Sequence, residues 1–122
     1  MQEKQLLISV LSDLNSSSGE IVASAVISTD GLPVAALLQS GVDPDRVGAM
    51  SAALLALSSR ISRELQRGNL KQVIVEGEKG YVLLIQAGIG NVLAVTANEN
   101  AKLGLILLDA RRAAKSIVDI CG

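Results

Sequence analysis

The sequence contains no histidine, no tryptophan and no phenylalanine, and its one aromatic residue is Tyr81. Without histidine the chain lacks the commonest general base and a common zinc ligand, which excludes most hydrolase mechanisms and zinc sites. With a single ring it also lacks the platforms on which single-stranded nucleic acids stack their bases. We therefore expect a protein that is not an enzyme and that holds no metal and no cofactor.

The net charge is small and there is a single cysteine. The chain carries 11 Lys and Arg against 12 Asp and Glu, so it offers no broad positive field for nucleic acid. Its one cysteine, Cys121, cannot form an internal disulfide, and with no signal-peptide pattern this predicts a cytoplasmic protein. No apolar run approaches the roughly 20 residues that a spanning helix needs, so we expect no membrane insertion.

Aliphatic residues are abundant instead, and hydrophobic residues make up 49% of the 122 positions. Such a composition is typical of a folded chain, since disordered chains lack the apolar surface that offsets backbone entropy. The length suits one domain, which we predict to span residues 1–122.

Apolar periodicity predicts three helices and five strands. A first helix is expected over residues 5–14, and strands over residues 21–28, 33–38, 71–76, 81–87 and 92–97. Asp30 and Gly31 favour a hairpin between the first two strands, and Pro33 is typical of an edge strand. The order α-β-β-α-β-β-β-α indicates an α+β fold, an antiparallel sheet with helices against both faces.

The boundaries of the two later helices carry capping signals. Asp43 can cap the long helix and Pro44 suits its first position, while Gly68 predicts a left-handed stop after about Arg67. Asn98 or Asn100 can cap the last helix. Leu105 and Leu108 fall opposite the predicted buried stripe of that helix, so either its first turns are irregular or these leucines face a partner.

Candidate catalytic and phosphate-binding motifs are better explained as structural features. The carboxylate pair Asp43 and Asp45 sits at a helix start, and the pair Glu76 and Glu78 flanks a turn. The segment GIGN at 88–91 lacks the third glycine of a dinucleotide fingerprint and precedes a strand. The segment GEKG at 77–80 lacks the ending of a P-loop. Both glycine-rich segments predict hairpin turns.

The long helix carries two apolar faces. Large side chains form one of them: Val47, Met50, Leu54, Leu57, Ile61 and Leu65. Small side chains form the other: Ala49, Ala52, Ala53 and Ala56. A surface helix normally shows polar residues opposite its core stripe. The alanines therefore either serve helix propensity on an exposed face or allow the helix of a second copy to approach closely.

Three arginines, Arg60, Arg63 and Arg67, follow at three- and four-residue steps in the same predicted helix. Such a ridge is either a solvated face with favourable charges near a helix C-terminus or a docking surface for an acidic partner.

Four segments resemble the Roadblock family: DGLPVA (30–35), VDPDRVGAMSAALLALSSRISRELQRG (42–68), VIVEGEKGYVLLIQAGIGNVLAV (73–95) and NAKLGLILLDARRAA (100–114). The resemblance covers nearly the whole chain. It is greatest to the small stand-alone Roadblock proteins of bacteria and archaea, including the GTPase-activating partners of Ras-like gliding GTPases.

The resemblance implies a five-stranded sheet in the order 2-1-5-4-3, with the long helix on one face and the terminal helices on the other. It also implies a homodimer in which the third strands pair antiparallel and the long helices pack together. That arrangement places a specific set of residues at the dimer interface: Ala49, Ala52, Ala53, Ala56, Gln72, Val73, Ile74 and Val75.

The function that the resemblance implies is that of a regulator or scaffold, which binds a Ras-like small GTPase and modulates its GTP hydrolysis or localisation. Arg60, Arg63 and Arg67 are then the leading partner contacts, although no motif marks an arginine finger. The alternative is an adaptor or sensor dimer that binds peptides or a small ligand without contacting a GTPase.

Overall fold

The structure is a computed structural model, and it describes residues 2–122. Its elements are α1 (Gln2–Ser16), β1 (Ile21–Ser28), β2 (Pro33–Leu37), α2 (Pro44–Glu64), β3 (Gln72–Gly77), β4 (Gly80–Gln86), β5 (Asn91–Asn98) and α3 (Leu103–Cys121). The strands form one antiparallel sheet in the order β2-β1-β5-β4-β3. The predicted fold class, element order and strand order are confirmed.

Hydrophobic cores lie on both faces of the sheet. The larger one joins α1 and α3 to the sheet through fully buried residues such as Leu7, Leu83 and Ile117. The smaller one lies under α2, where Leu55 packs with Leu84 and other sheet residues. β1 and β5, the two strands buried on both faces, supply residues to both cores, as strands in the middle of a covered sheet do.

A polar contact ties the end of α1 to the β1–β2 edge. The Ser24 hydroxyl on β1 is buried and donates to Asn15 Oδ1 at 2.6 Å, while Asn15 Nδ2 donates to the Leu37 carbonyl oxygen at 3.4 Å. A buried hydroxyl without a partner would cost free energy, so this pairing satisfies Ser24 and fixes the position of α1.

Glycines close the hairpins, as the sequence predicts. Gly31 has φ +90° and its amide donates to the Ser28 carbonyl at 2.9 Å. Gly88 has φ +83° at the β4–β5 turn. The amide of Thr29 donates to the Gly90 carbonyl at 3.0 Å, so the two turns lie side by side at one end of the sheet. The GIGN segment joins two strands and opens no helix.

The start of α2 is confirmed and its end is not. Asp43 is the N-cap, its Oδ1 accepting from the Asp45 amide at 3.0 Å, and Pro44 is the first helical residue. The predicted helix runs to about Arg67, but α2 ends at Glu64. The Arg67 amide donates to the Ser62 carbonyl at 2.7 Å and Gln66 has φ +60°. This Schellman-type stop puts the left-handed residue two positions earlier than the expected glycine.

The predicted caps of the last helix are wrong. α3 begins at Leu103 with Lys102 as its N-cap and no side-chain capping bond. Asn98 ends β5 and its carbonyl accepts from the Ala101 amide at 3.1 Å, so a turn intervenes before the helix. Leu105 and Leu108 lie on the exposed side of α3, which is helical from Leu103 onwards. A partner contact at these two leucines stays a prediction.

Candidate interaction surface

Small residues seat α2 on the sheet. Gly48 and Ser51 are buried on the side of α2 that faces β1 and β2, and Leu55 is its one buried large side chain among the described residues. A Cβ atom at Gly48 would collide with the carbonyl oxygen of Gly31, so the helix backbone touches the β1–β2 turn directly. The buried line therefore consists of residues that allow close approach.

The large apolar stripe of α2 lies largely in solvent. Met50 is 60% exposed, Leu57 55% and Leu65 67%, and Leu54 and Ile61 are exposed as well. Neither of the two apolar faces recognised in the sequence forms the main contact with the sheet, although Val47, at the start of the large stripe, is half-buried against the core under α2. The sheet side runs through Gly48, Ser51, Leu55, Ser58 and Ser62. These residues recur at alternating three- and four-residue steps, which is the spacing of one helical face. This face was missed in the sequence because four of its five residues are glycine or serine and not large apolar side chains.

The alanine face lies on the side of α2 away from the sheet. Ala49, Ala53 and Ala56 are exposed and Ala52 is half-buried. Their assignment to a dimer interface stays a prediction, and so does that of the β3 residues described next.

β3 forms one edge of the sheet, next to β4 only. Val73 lies opposite Leu84 of the core under α2, and Ile74 lies opposite Leu83 of the core under α1 and α3. Successive side chains of a strand point to opposite faces, so Val73 and Val75 face the α2 side, and Gln72, Ile74 and Glu76 face the other. The α3 side chain Arg111 donates from Nη2 to Gln72 Oε1 at 2.7 Å, which agrees with this placement.

An apolar groove lies between the N-terminal half of α2 and the sheet, and it reaches Val75 of β3. It has a volume of about 240 Å³ and is lined by Met50, Leu54, Val75, Val82 and neighbouring apolar side chains. A shallower depression beside the C-terminal end of α2 is lined by Ile61, Leu65, Leu70, Val73 and their neighbours. We call the large stripe of α2, the two depressions and the β3 edge together the α2–β3 surface. Contiguous exposed apolar area of this kind marks interaction sites in soluble proteins.

The three arginines do not form one helical ridge. Arg60 and Arg63 lie on α2, and Arg60 Nη2 pairs with Glu64 Oε1 at 3.4 Å with both side chains exposed. Arg67 lies beyond the helix end, where its Nε donates to the Leu65 carbonyl at 3.2 Å. Arg60 and Arg63 therefore belong to the exposed outer side of α2, while Arg67 borders the depression beside Val73.

The rest of the described residues have few features that suit metal binding, membrane insertion or thiol chemistry. Across residues 2–122, no cluster of three His, Cys, Asp or Glu side chains is arranged to hold a metal ion. None of the helices in that range has the length and apolarity to cross a membrane. The Cys121 thiol lies 3.8 Å from Glu3 Oε1, and partial burial and this carboxylate raise the pKa of the thiol above its ordinary value.

Comparison with known proteins agrees with the architecture. An uncharacterized protein of Methanocaldococcus jannaschii is 40% identical over 108 residues, which are 88% of this chain and 93% of the relative. The structure of Myxococcus xanthus MglB superposes with a TM-score of 0.89 at 17% identity, covering 98% of this chain and 90% of that one. A structure described as MglB with tetrameric arrangement gives 0.87 at 19% identity, over 98% and 90%. At these identities the two structural matches show a shared fold.

Family membership rests on the sequence match together with that fold. Residues 7–97 match the family described as Roadblock/LC7 domain, a range that runs from the first helix to the last strand and includes the whole α2–β3 surface. The chain belongs to the Roadblock/LC7 domain family.

Proposed function

We propose that this chain is a cytoplasmic regulator or scaffold that acts as a homodimer, binds a Ras-like small GTPase and modulates its GTP hydrolysis or localisation. The observation that carries the dimer is the α2–β3 surface, where a stripe of large apolar side chains lies beside an edge strand. Family membership and the structural similarity to MglB support the proposal of a GTPase partner.

Burial of the large stripe of α2 offsets much of the free-energy cost of association. Fully burying a Leu, Ile or Met side chain stabilises by about 1.5–3 kcal/mol, and five such side chains of the stripe are exposed on each copy. Covering the exposed half of each in a symmetric dimer is worth about 10 kcal/mol, comparable to the roughly 4–15 kcal/mol lost in translational and rotational freedom. We therefore place the helix contact on the large stripe, in place of the alanine face that the family resemblance implied, so that the alanines lie outward together with Arg60 and Arg63.

The edge of β3 supports the same arrangement. An edge strand presents unpaired backbone N–H and C=O groups, and natural proteins cover such edges or protect them with charge. The middle of β3 is Val73-Ile74-Val75, which carries no charge and contains two exposed side chains. Pairing with the β3 of a second copy would satisfy these groups.

The partner is tested by binding of the purified dimer to small GTPases of the same genome, each loaded with GDP or with a non-hydrolysable GTP analogue. We expect recovery in one nucleotide state to exceed recovery in the other, and the variant Arg60→Glu/Arg63→Glu to lose binding. Arg112→Glu, a charge reversal on exposed α3, is the matched control. Equal or absent recovery in both states would contradict the GTPase role.

A peptide or small-ligand adaptor is the competing function, and the apolar groove beside Val75 is the observation that favours it. The dimer contact we propose would cover that groove. A ligand that binds the groove would therefore dissociate the dimer, whereas a GTPase bound at Arg60 and Arg63 would leave the dimer intact.

A further inference from the structure

We propose that two copies of β3 pair antiparallel about a two-fold axis at Ile74, so that Glu76 of each copy meets Arg111 and Gln72 of the other. This inference rests on the proposed homodimer and adds the register of its sheet and the polar contact that selects it.

The β3–β4 hairpin decides which residues of β3 can bond outward. Gly77 pairs with Gly80 across a two-residue turn, and a pair in that position exchanges both backbone hydrogen bonds. Hydrogen-bonded pairs alternate along the ladder, so Gly77, Val75 and Val73 bond inward to β4. The N–H and C=O groups of Gln72, Ile74 and Glu76 then point away from the sheet.

The sides of the sheet restrict the register further. Directly opposite residues of an antiparallel pair project to the same face. If Val73 lay opposite Ile74 of the other copy, the two α2 helices would fall on opposite faces of the joint sheet, where their exposed stripes could not meet. The register must therefore pair residues of the same face, and the axis must pass through a residue of β3.

Among those registers, the one centred on Ile74 uses all the outward groups. It pairs Ile74 with itself and Gln72 with Glu76, for about six interchain backbone hydrogen bonds. A register centred on Val73 or Val75 leaves one outward-bonding residue of each strand without a strand partner. Such a register forms only about four interchain backbone hydrogen bonds. The Ile74 register is thus favoured by the backbone alone.

Side chains on the α3 side complement this register. In a hydrogen-bonded pair the Cα atoms of Gln72 and the opposite Glu76 lie about 5.5 Å apart. Arg111 Nη2 is already held 2.7 Å from Gln72 Oε1, so the guanidinium is positioned to bind the incoming carboxylate. In the part of the chain that the structure describes, neither Glu76 nor Arg111 belongs to an ion pair. The two-fold axis makes this contact twice.

The α2 side is compatible with the same axis. Val73 of one copy lies opposite Val75 of the other, and Ile61 and Leu65 lie beside Val73. The symmetry therefore brings Ile61 and Leu65 of one copy next to the groove at Val75 of the other. One register covers both depressions of the α2–β3 surface with apolar side chains of a second copy.

Disulfide trapping tests the register in the Cys121→Ser background, with copper phenanthroline as oxidant. We expect Ile74→Cys to form a symmetric interchain disulfide, because about 5.5 Å between Cα atoms lies within disulfide range. In Val73→Cys and Val75→Cys the two introduced thiols would belong to residues about 7–8 Å apart, beyond that range. Crosslinking of the Val73→Cys or Val75→Cys variant without crosslinking of Ile74→Cys, or a dimer that no variant crosslinks, overturns the proposal.

Charge reversal tests the polar contact. Glu76→Arg and Arg111→Glu should each raise the dimer dissociation constant about tenfold, since like charges then face each other at two places. The double variant should return to within about threefold of the parent. Glu78→Arg and Arg112→Glu, neither in the Arg111–Gln72 contact, should change nothing. A dimer insensitive to the single reversals overturns the proposed polar contact, whereas a monomeric parent overturns the proposed homodimer.

Discussion

Gly31 and Gly48 bring the β1–β2 turn and the long helix into backbone contact, because a Cβ atom at Gly48 would overlap the Gly31 carbonyl oxygen. In an open helix, Gly→Ala stabilises by about 0.5–1 kcal/mol. At Gly48 we expect the opposite, a loss of about 1–3 kcal/mol in the free energy of unfolding, as for overpacked sites.

The matched control for Gly48→Ala is Gly104→Ala. Gly104 lies in α3, and a Cβ atom built there meets nothing within 4 Å. Urea unfolding at one fixed protein concentration should show Gly104→Ala unchanged or stabilised. If Gly48→Ala were as stable as Gly104→Ala, the backbone contact with Gly31 would not be what positions α2.

The second prediction separates the two apolar faces of α2. Ile61→Glu places a charge on the large stripe, which is exposed in a single chain but buried in the proposed dimer. We expect the molar mass from light scattering to fall to that of one chain, because an unpaired buried carboxylate is strongly unfavourable. Ala53→Glu, on the outer face, should keep the dimer mass.

Two outcomes of that experiment would count against the proposed contact. Dissociation by Ala53→Glu with retention by Ile61→Glu would move the helix contact to the alanine face. Dissociation by Ile89→Glu, a change at the β4–β5 turn where the side chain is 92% exposed, would show that any added charge disrupts association.

The sequence predicts best those features that local chemistry determines. Asp43 and Pro44 specify the start of α2 through one capping bond and one restricted φ angle, which depend on neighbouring residues only. The hairpin at Gly31 is equally local. The strand order has no such local signal, because it depends on contacts between distant segments, and only the resemblance to the Roadblock family predicted it.

The orientation of α2 could not be predicted in this way. The side of the helix that meets the sheet is determined by the close approach of Gly48 to Gly31, and its residues do follow a helical spacing, but glycine and serine at that spacing do not stand out as a buried face. Large apolar side chains usually mark the core side of a helix. Here they mark the surface that we propose a second copy covers. The large apolar side chains therefore identify the side of α2 that is buried in the proposed dimer, and not the side that is buried within a single chain.

The third prediction concerns the end of α2. Gln66 has φ +60°, a left-handed conformation that costs a residue with a side chain roughly 1–2 kcal/mol and glycine very little. Gln66→Gly should therefore raise the free energy of unfolding by about 0.5–1 kcal/mol, part of the gain being lost to the greater freedom of glycine in the unfolded chain. Asn69→Gly, at a nearby exposed residue with negative φ, should lose a few tenths of a kcal/mol. Equal effects of the two changes in thermal unfolding would contradict the helix stop at Gln66.

The fourth prediction concerns the reactivity of Cys121. Partial burial, followed by the nearby Glu3 carboxylate, raises the pKa of the thiol above its ordinary value. Only the thiolate reacts with iodoacetamide, so at pH 8 alkylation of the folded protein should be slower than that of the urea-unfolded chain. A raised pKa in the folded state also means that the thiol favours folding below its ordinary pKa, and that this contribution is lost as the pH rises through the folded value.

The variant Glu3→Gln tests the contribution of the carboxylate. It should lower the pKa of the Cys121 thiol and move the pH midpoint of alkylation downward, whereas Lys4→Gln, at the adjacent exposed residue, should not lower it. A midpoint that Glu3→Gln leaves in place would show that burial alone determines the reactivity of this thiol.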